Sequence, residues 1–239
     1  MRTSIAYASA VAFLLLASAV IEAKEPTLVV LSVSWDISLD ASGNITKLTT
    51  DDEQVPTVHA RLEKAIRGWH FSPGKVNGQP MATESHLSIS LEFKPVAEGY
   101  EMRLLGAATG AYYGKLASAH YPTEAAREGK QGEVVLLVHY TGTGVVTDVA
   151  PYEDGPKADA RLTHAAMASV KKWTFATEVV GGYSMAGVAL VPVCFTLSGR
   201  TPPPCDWKNP ATGESLSAGQ AVALNPAAKL ETDVIGRVL

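Results

Sequence analysis

The chain has 239 residues, 46% of them hydrophobic, and a formal net charge of −4. That length holds one large domain or two small ones around a real core. Without a lysine-rich run or basic patch, this charge excludes nucleic acid as a partner and argues against an anionic membrane surface.

Arg2 followed by an uncharged stretch over 5–21, with Val11, Phe13, Leu14, Leu15 and Leu16, reads as a signal peptide over 1–23. Cleavage is expected after Ala19 or Ala23, which places the mature protein in the periplasm. The alternative keeps residues 5–21 as an inner-membrane anchor, although the run is slightly short of the ~20 apolar residues a span needs. Membrane contact belongs only to that alternative.

Next comes a strand in which Leu31, Val33, Trp35, Ile37 and Leu39 alternate with polar residues, the period-two pattern of a sheet with one wet face. After a turn at Gly43, Val58, Leu62, Ala65, Ile66 and Trp69 form one helical stripe. Trp69 and Phe71 should close the core against a last strand built on Leu87, Ile89, Leu91 and Phe93. This first unit spans 27–95. Residues 96–118, with Gly99, Gly106, Gly110 and Gly114, read as a linker with at most a short strand near Tyr100–Leu104.

Residues 119–199 follow the same plan. Gly144 takes the place of Gly43, and Leu162, Ala166, Ser169, Val170 and Trp173 supply the helical stripe. Trp173-Thr174-Phe175 answers Trp69-His70-Phe71, and Val191, Val193, Phe195 and Leu197 close the unit. The expected fold is α+β: two tandem small domains, each a three-stranded antiparallel sheet packed on one helix. Trp69, Phe71, Trp173 and Phe175 are core residues. Residues 200–239 read as a Pro-rich, loosely ordered tail. Cys194 and Cys205, an even and closely spaced pair in an exported chain, read as a disulfide joining that tail to the closing strand. The crossing either braces the strand or blocks its edge.

Tyr121-Pro122 followed by Ala125, Ala126, Arg127, Gly129 and Gly132, then the Gly144 turn, the alanine-rich helix and Trp173-Thr174-Phe175, resembles the TonB C-terminal domain. The resemblance covers 119–197, with a weaker copy in 27–95. It implies binding of an extended peptide of the TonB-box type, or of an envelope partner, by strand addition to a sheet edge. The implied edge lies at Val188, Leu190 and Pro192, with Tyr121 and Pro122 beside it. Pro192 removes one donor from it. The chain lacks the family's Pro-rich spacer and has no histidine in 3–21, so energy transduction is not expected.

His59, His70, His86, His120, His139 and His164 are scattered, and no nucleophile elbow or phosphate loop is present. The expectation is a non-enzymatic protein with no catalytic residues, no metal and no cofactor. The competing reading is a structural or assembly protein of the envelope that uses the same edges to form a homodimer.

Overall fold

The computed structural model describes residues 29–50, 56–203, 205 and 220–239. The expected leader over 1–23 and its rival anchor over 5–21 lie outside the described residues. Among the described residues no helix is long and apolar enough to cross a membrane.

The first half runs β1 (Val29–Leu39), β2 (Ile45–Thr49), α1 (Pro56–Ile66), β3 (Phe71–Ser72), β4 (Lys75–Val76), β5 (Gln79–Pro80) and β6 (Thr83–Val96). Then come β7 (Gly99–Gly110), β8 (Tyr112–Tyr113) and the short α2 (Thr123–Arg127). The second half takes the order of the first: β9 (Gly132–Tyr140), β10 (Val146–Pro151), α3 (Ala160–Val170), β11 (Phe175–Ala176), β12 (Val179–Val180), β13 (Tyr183–Ser184) and β14 (Gly187–Phe195). The tail adds β15 (Val222–Ala223) and β16 (Lys229–Leu230).

Both helices form where the stripe demands. Pro56 opens α1, where its fixed φ suits a first turn, and Val58, Leu62 and Ile66 are buried against the sheet. Asp159 caps α3 by accepting from the Arg161 backbone N–H, and Leu162, Ala166, Ser169 and Val170 face inward. Fully burying a side chain such as Leu62 or Leu162 contributes about 1.5–3 kcal/mol. Two buried clusters result. One gathers Trp35, Ile37, Leu62, Ile66, Trp69 and Phe71. The other gathers Leu136 and Val138 of β9 with Leu162, Val170, Phe175 and Val191.

The expectation of two separate three-stranded sheets is corrected. The first sheet is six-stranded, in the order β13-β12-β6-β1-β2, with β7 also on β6. The second is four-stranded, β10-β9-β14-β15. The stretch that reads as a linker over 96–118 contains β7, antiparallel to β6 from Val96↔Gly99 to His86↔Gly110. Its glycines disguise it. The ladder shifts register between Ser90 and Leu91, beside Gly106, as strand glycines often mark a bulge. Gly110 is required by close approach, since a Cβ there would collide with the Ala223 Cβ.

The halves also interlock. Beyond the end of β7, β12 of the second half pairs with β6 at Val180↔Thr83 and Val179↔Glu84. The tail, expected to be loose over 200–239, is built into both halves in its described part. β15 lies on β14, and β16 pairs with β3. Val238 bridges Arg103, and the Leu239 N–H donates to Met102 O at 2.9 Å. Leu230↔Phe71 thus has the same form as Tyr113↔Phe175, where β8 pairs with β11. The tail gives the first half the strand that the second half draws from β8.

Gly43 and Gly144 hold matching positions. Each has a left-handed φ (+84° and +80°), and a Cβ would collide with Phe71 O or Phe175 O respectively. Gly144→Ala is therefore expected to cost about 2 kcal/mol or more. Gly199→Ala, at φ +76° with nothing within 4 Å, should cost only the ~1 kcal/mol of left-handed strain. Denaturant midpoints of the two variants compare them directly.

Candidate functional site: the outer edge of β14

β14 is antiparallel to β9 along its whole length, from Gly187↔Tyr140 to Phe195↔Gly132. Its other side is the edge that strand addition would use. The expected open rim is corrected at its first half. β15 pairs there through Ala189↔Ala223 and Leu190↔Val222, and the Leu224 N–H donates to Val188 O at 2.9 Å. Val188 is half-buried, Leu190 fully buried and Pro192 buried. Pro192 offers no N–H, which limits any ladder on that side. Among the described residues nothing pairs with the outer side of β14 beyond Leu190.

Tyr121 and Pro122 sit at the far end of the same strand. The Tyr121 ring meets Phe195 edge-on, with centroids 5.4 Å apart, and its hydroxyl donates to Lys130 O. Pro122 starts α2. Val188 and Phe195 are roughly 23 Å apart along an extended strand, so the candidate residues line one strand without forming one pocket. Trp69, Phe71 and Phe175 are buried. Trp173 is half-buried, and its Nε1 donates to Ala117 O at 2.7 Å; Tyr113 meets it edge-on at 5.3 Å.

Cys194 on β14 is joined to Cys205, with Cα atoms 5.9 Å apart. What anchors the tail just past β15 is a different group. The Glu178 carboxylate, 5% exposed, accepts from Ala227 N at 2.6 Å, Ala228 N at 3.0 Å and Ser85 Oγ at 2.7 Å. One side chain so joins the tail to both halves. Thr109 Oγ1 adds a bond to Ala228 O at 2.5 Å. Burial, with the Glu178 charge second, pushes the nearby Tyr140 phenol up to about 12, and burial also raises that of Tyr113. Because neither the β15–β14 pairing nor the Glu178 bonds past Pro226 involve the disulfide, Cys205→Ser should leave β15 seated while costing at most the ~2–3 kcal/mol of a short loop. Amide exchange over 220–224 should match wild type, which is the bracing outcome.

Sequence reasoning missed Glu178 because an isolated acid in a loop has no pattern. Glu128 takes both terminal nitrogens of Arg161, at 3.0 and 2.8 Å, tying α2 to α3. The Arg161 guanidinium holds the Glu128 and Asp159 carboxyls below their usual range.

Residues 117–197 match the family model described as the Gram-negative bacterial TonB protein C-terminal. Two curated relatives, each called Protein TonB and from two strains of Xanthomonas campestris pv. campestris, are 41% identical over 78 residues. That alignment takes in 33% of this chain and 34% of each relative, so the chain spans about a third of the length of the relatives it matches. The solution NMR structure of the Pseudomonas aeruginosa TonB C-terminal domain aligns with 38% of this chain and 90% of its own, at 24% identity and a TM-score of 0.32.

Proposed function

We propose, on the premise that residues 117–197 match the TonB C-terminal family, that this protein is a non-enzymatic envelope module linked to TonB-dependent transport. It binds an extended peptide or an envelope partner by strand addition at the outer edge of β14. The observation that supports this reading is β15 itself: an extended segment already pairs antiparallel with that edge, satisfying main-chain groups that would otherwise lie unpaired. Roughly five or six such bonds, at about 0.5–1.5 kcal/mol net each, are enough to hold a short peptide after its ordering cost.

Titration of the full chain with TonB-box-like peptides tests the reading. Saturable binding that protects β14 amides from exchange supports it. Absence of binding, both to wild type and to variants whose tail strand is released, overturns it. Mass spectrometry of the mature protein should place its N-terminus at Val20 or Lys24, consistent with a periplasmic location; an uncleaved chain would point to the anchor over 5–21.

A second reading is assembly through the other rims. Among the described residues β2 pairs only with β1, and β10 only with β9, so Ile45–Thr49 and Val146–Pro151 each present an edge to a second copy. Sedimentation showing a concentration-dependent dimer without peptide binding would favour it.

A further inference from the structure

Resting on the strand-addition reading, we propose that residues 220–224 are an internal stand-in for the partner: they occupy the β14 edge and display the side-chain pattern of the segment that replaces them.

The slot has two walls. β14 supplies the pairing wall. Facing it across β15 is β7 of the first half, where Gly110 lies against Ala223. Ser90 of β6 completes that side by donating to Gln220 Oε1 at 3.3 Å. Each position in the slot consequently has its own size limit. Ala221 is buried in the cluster around Leu136 and Phe175. Val222 faces the opposite side of the sheet, where Val135, Leu190, Leu137 and Tyr152 form a separate apolar patch. Ala223 meets Gly110 so closely that even a Cβ on that glycine would clash. Leu224 is 39% exposed and contributes mainly its N–H. The pattern is small, branched apolar, small, with a tolerant fourth position. Alternating side chains on an extended segment read such a slot through alternate pockets.

The same geometry makes the stand-in releasable. β15 has only two paired residues, whereas β7, its counterpart on β6, is paired along all of its length but the bulge at Leu105. Past Pro226 the tail is held by Glu178 and Thr109. Residues 220–224 can therefore leave the slot while residues from 227 onward keep the first half closed. The incoming segment exchanges one set of main-chain bonds for an equal set, so side-chain fit decides the outcome. The tail reduces apparent affinity by the fraction of time it fills the slot.

The test uses the full chain and two labelled peptides followed by fluorescence anisotropy. One peptide has the sequence of residues 220–224, and in the other its valine and the following alanine trade places. Leu224→Pro removes the N–H that reaches Val188 O without touching the core. Ala223→Leu overfills the contact with Gly110. Both variants should bind the first peptide about tenfold or more tighter than wild type, and the exchanged peptide about tenfold or more weaker than the first. Amide exchange confined to 220–225 confirms that each variant keeps its fold. Equal binding of the two peptides overturns the size pattern and leaves strand addition standing. TonB-box-like peptides that bind wild type and both variants alike overturn the tail as a competitor. Failure of every peptide on every protein sinks the strand-addition reading itself.

Discussion

Truncation after Pro226 should sharply destabilise the first sheet, although the removed residues look like a dispensable tail. Ala228 and Val234 are buried in the first core, with Leu230 and Leu239 packed against it. Main-chain bonds join Leu104 to Arg237 and Gly236, and Leu239 to Met102. At about 1.5–3 kcal/mol for each large apolar side chain, the loss reaches roughly 5 kcal/mol before unpaired groups are counted. Total stability for a domain is about 5–15 kcal/mol. The expected fall in Tm is thus about 10–20 °C, with near-complete amide exchange in β1, β6 and β7. Calorimetry showing an unchanged transition would refute the view that the tail completes the first half.

Glu178→Ala should be the most damaging single substitution outside the apolar cores. It strands two backbone donors and leaves the buried Ser85 hydroxyl only its longer bond to His86 O and the one it accepts from Gly110 N. Each unsatisfied group costs about 1–3 kcal/mol, so a destabilisation of roughly 3–6 kcal/mol is expected from urea midpoints. Glu178→Gln keeps one acceptor oxygen and the side-chain volume and should lose about half as much. If the two variants are equally stable, the carboxylate is not what joins the tail to both halves.

The helices were legible because their stripes are long: Val58 to Trp69 and Leu162 to Trp173 leave few alternatives at a period of 3.6. β1 was legible for the same reason at period two, with Val33, Trp35, Ile37 and Leu39 all buried as the alternation requires. β7 was hidden, since Gly106 and Gly110 signal a loop when read locally and reveal their purpose only beside Ser90 and Ala223. β15 and β16 were out of reach for a different reason. A two-residue strand has no periodicity, and the partners at Leu190 and Phe71 lie far away in sequence. At the candidate site, Val188, Leu190 and Pro192 were identified as one edge from the resemblance and the closing-strand pattern. That the chain itself fills part of this edge follows only from the tertiary path of the tail.

The way β12 and β16 reach back into the first half has a kinetic consequence. β1 can meet β6 early, but its sheet gains β12 only when Val179–Val180 arrive, and its core closes only with the last residues. The second half, by contrast, is enclosed largely by segments between Ala111 and Phe195. Distant closures are entropically slow, so during refolding β9 and β14 should gain exchange protection ahead of β6 and β7. The portion nearest the start of the chain would then be the last to become native.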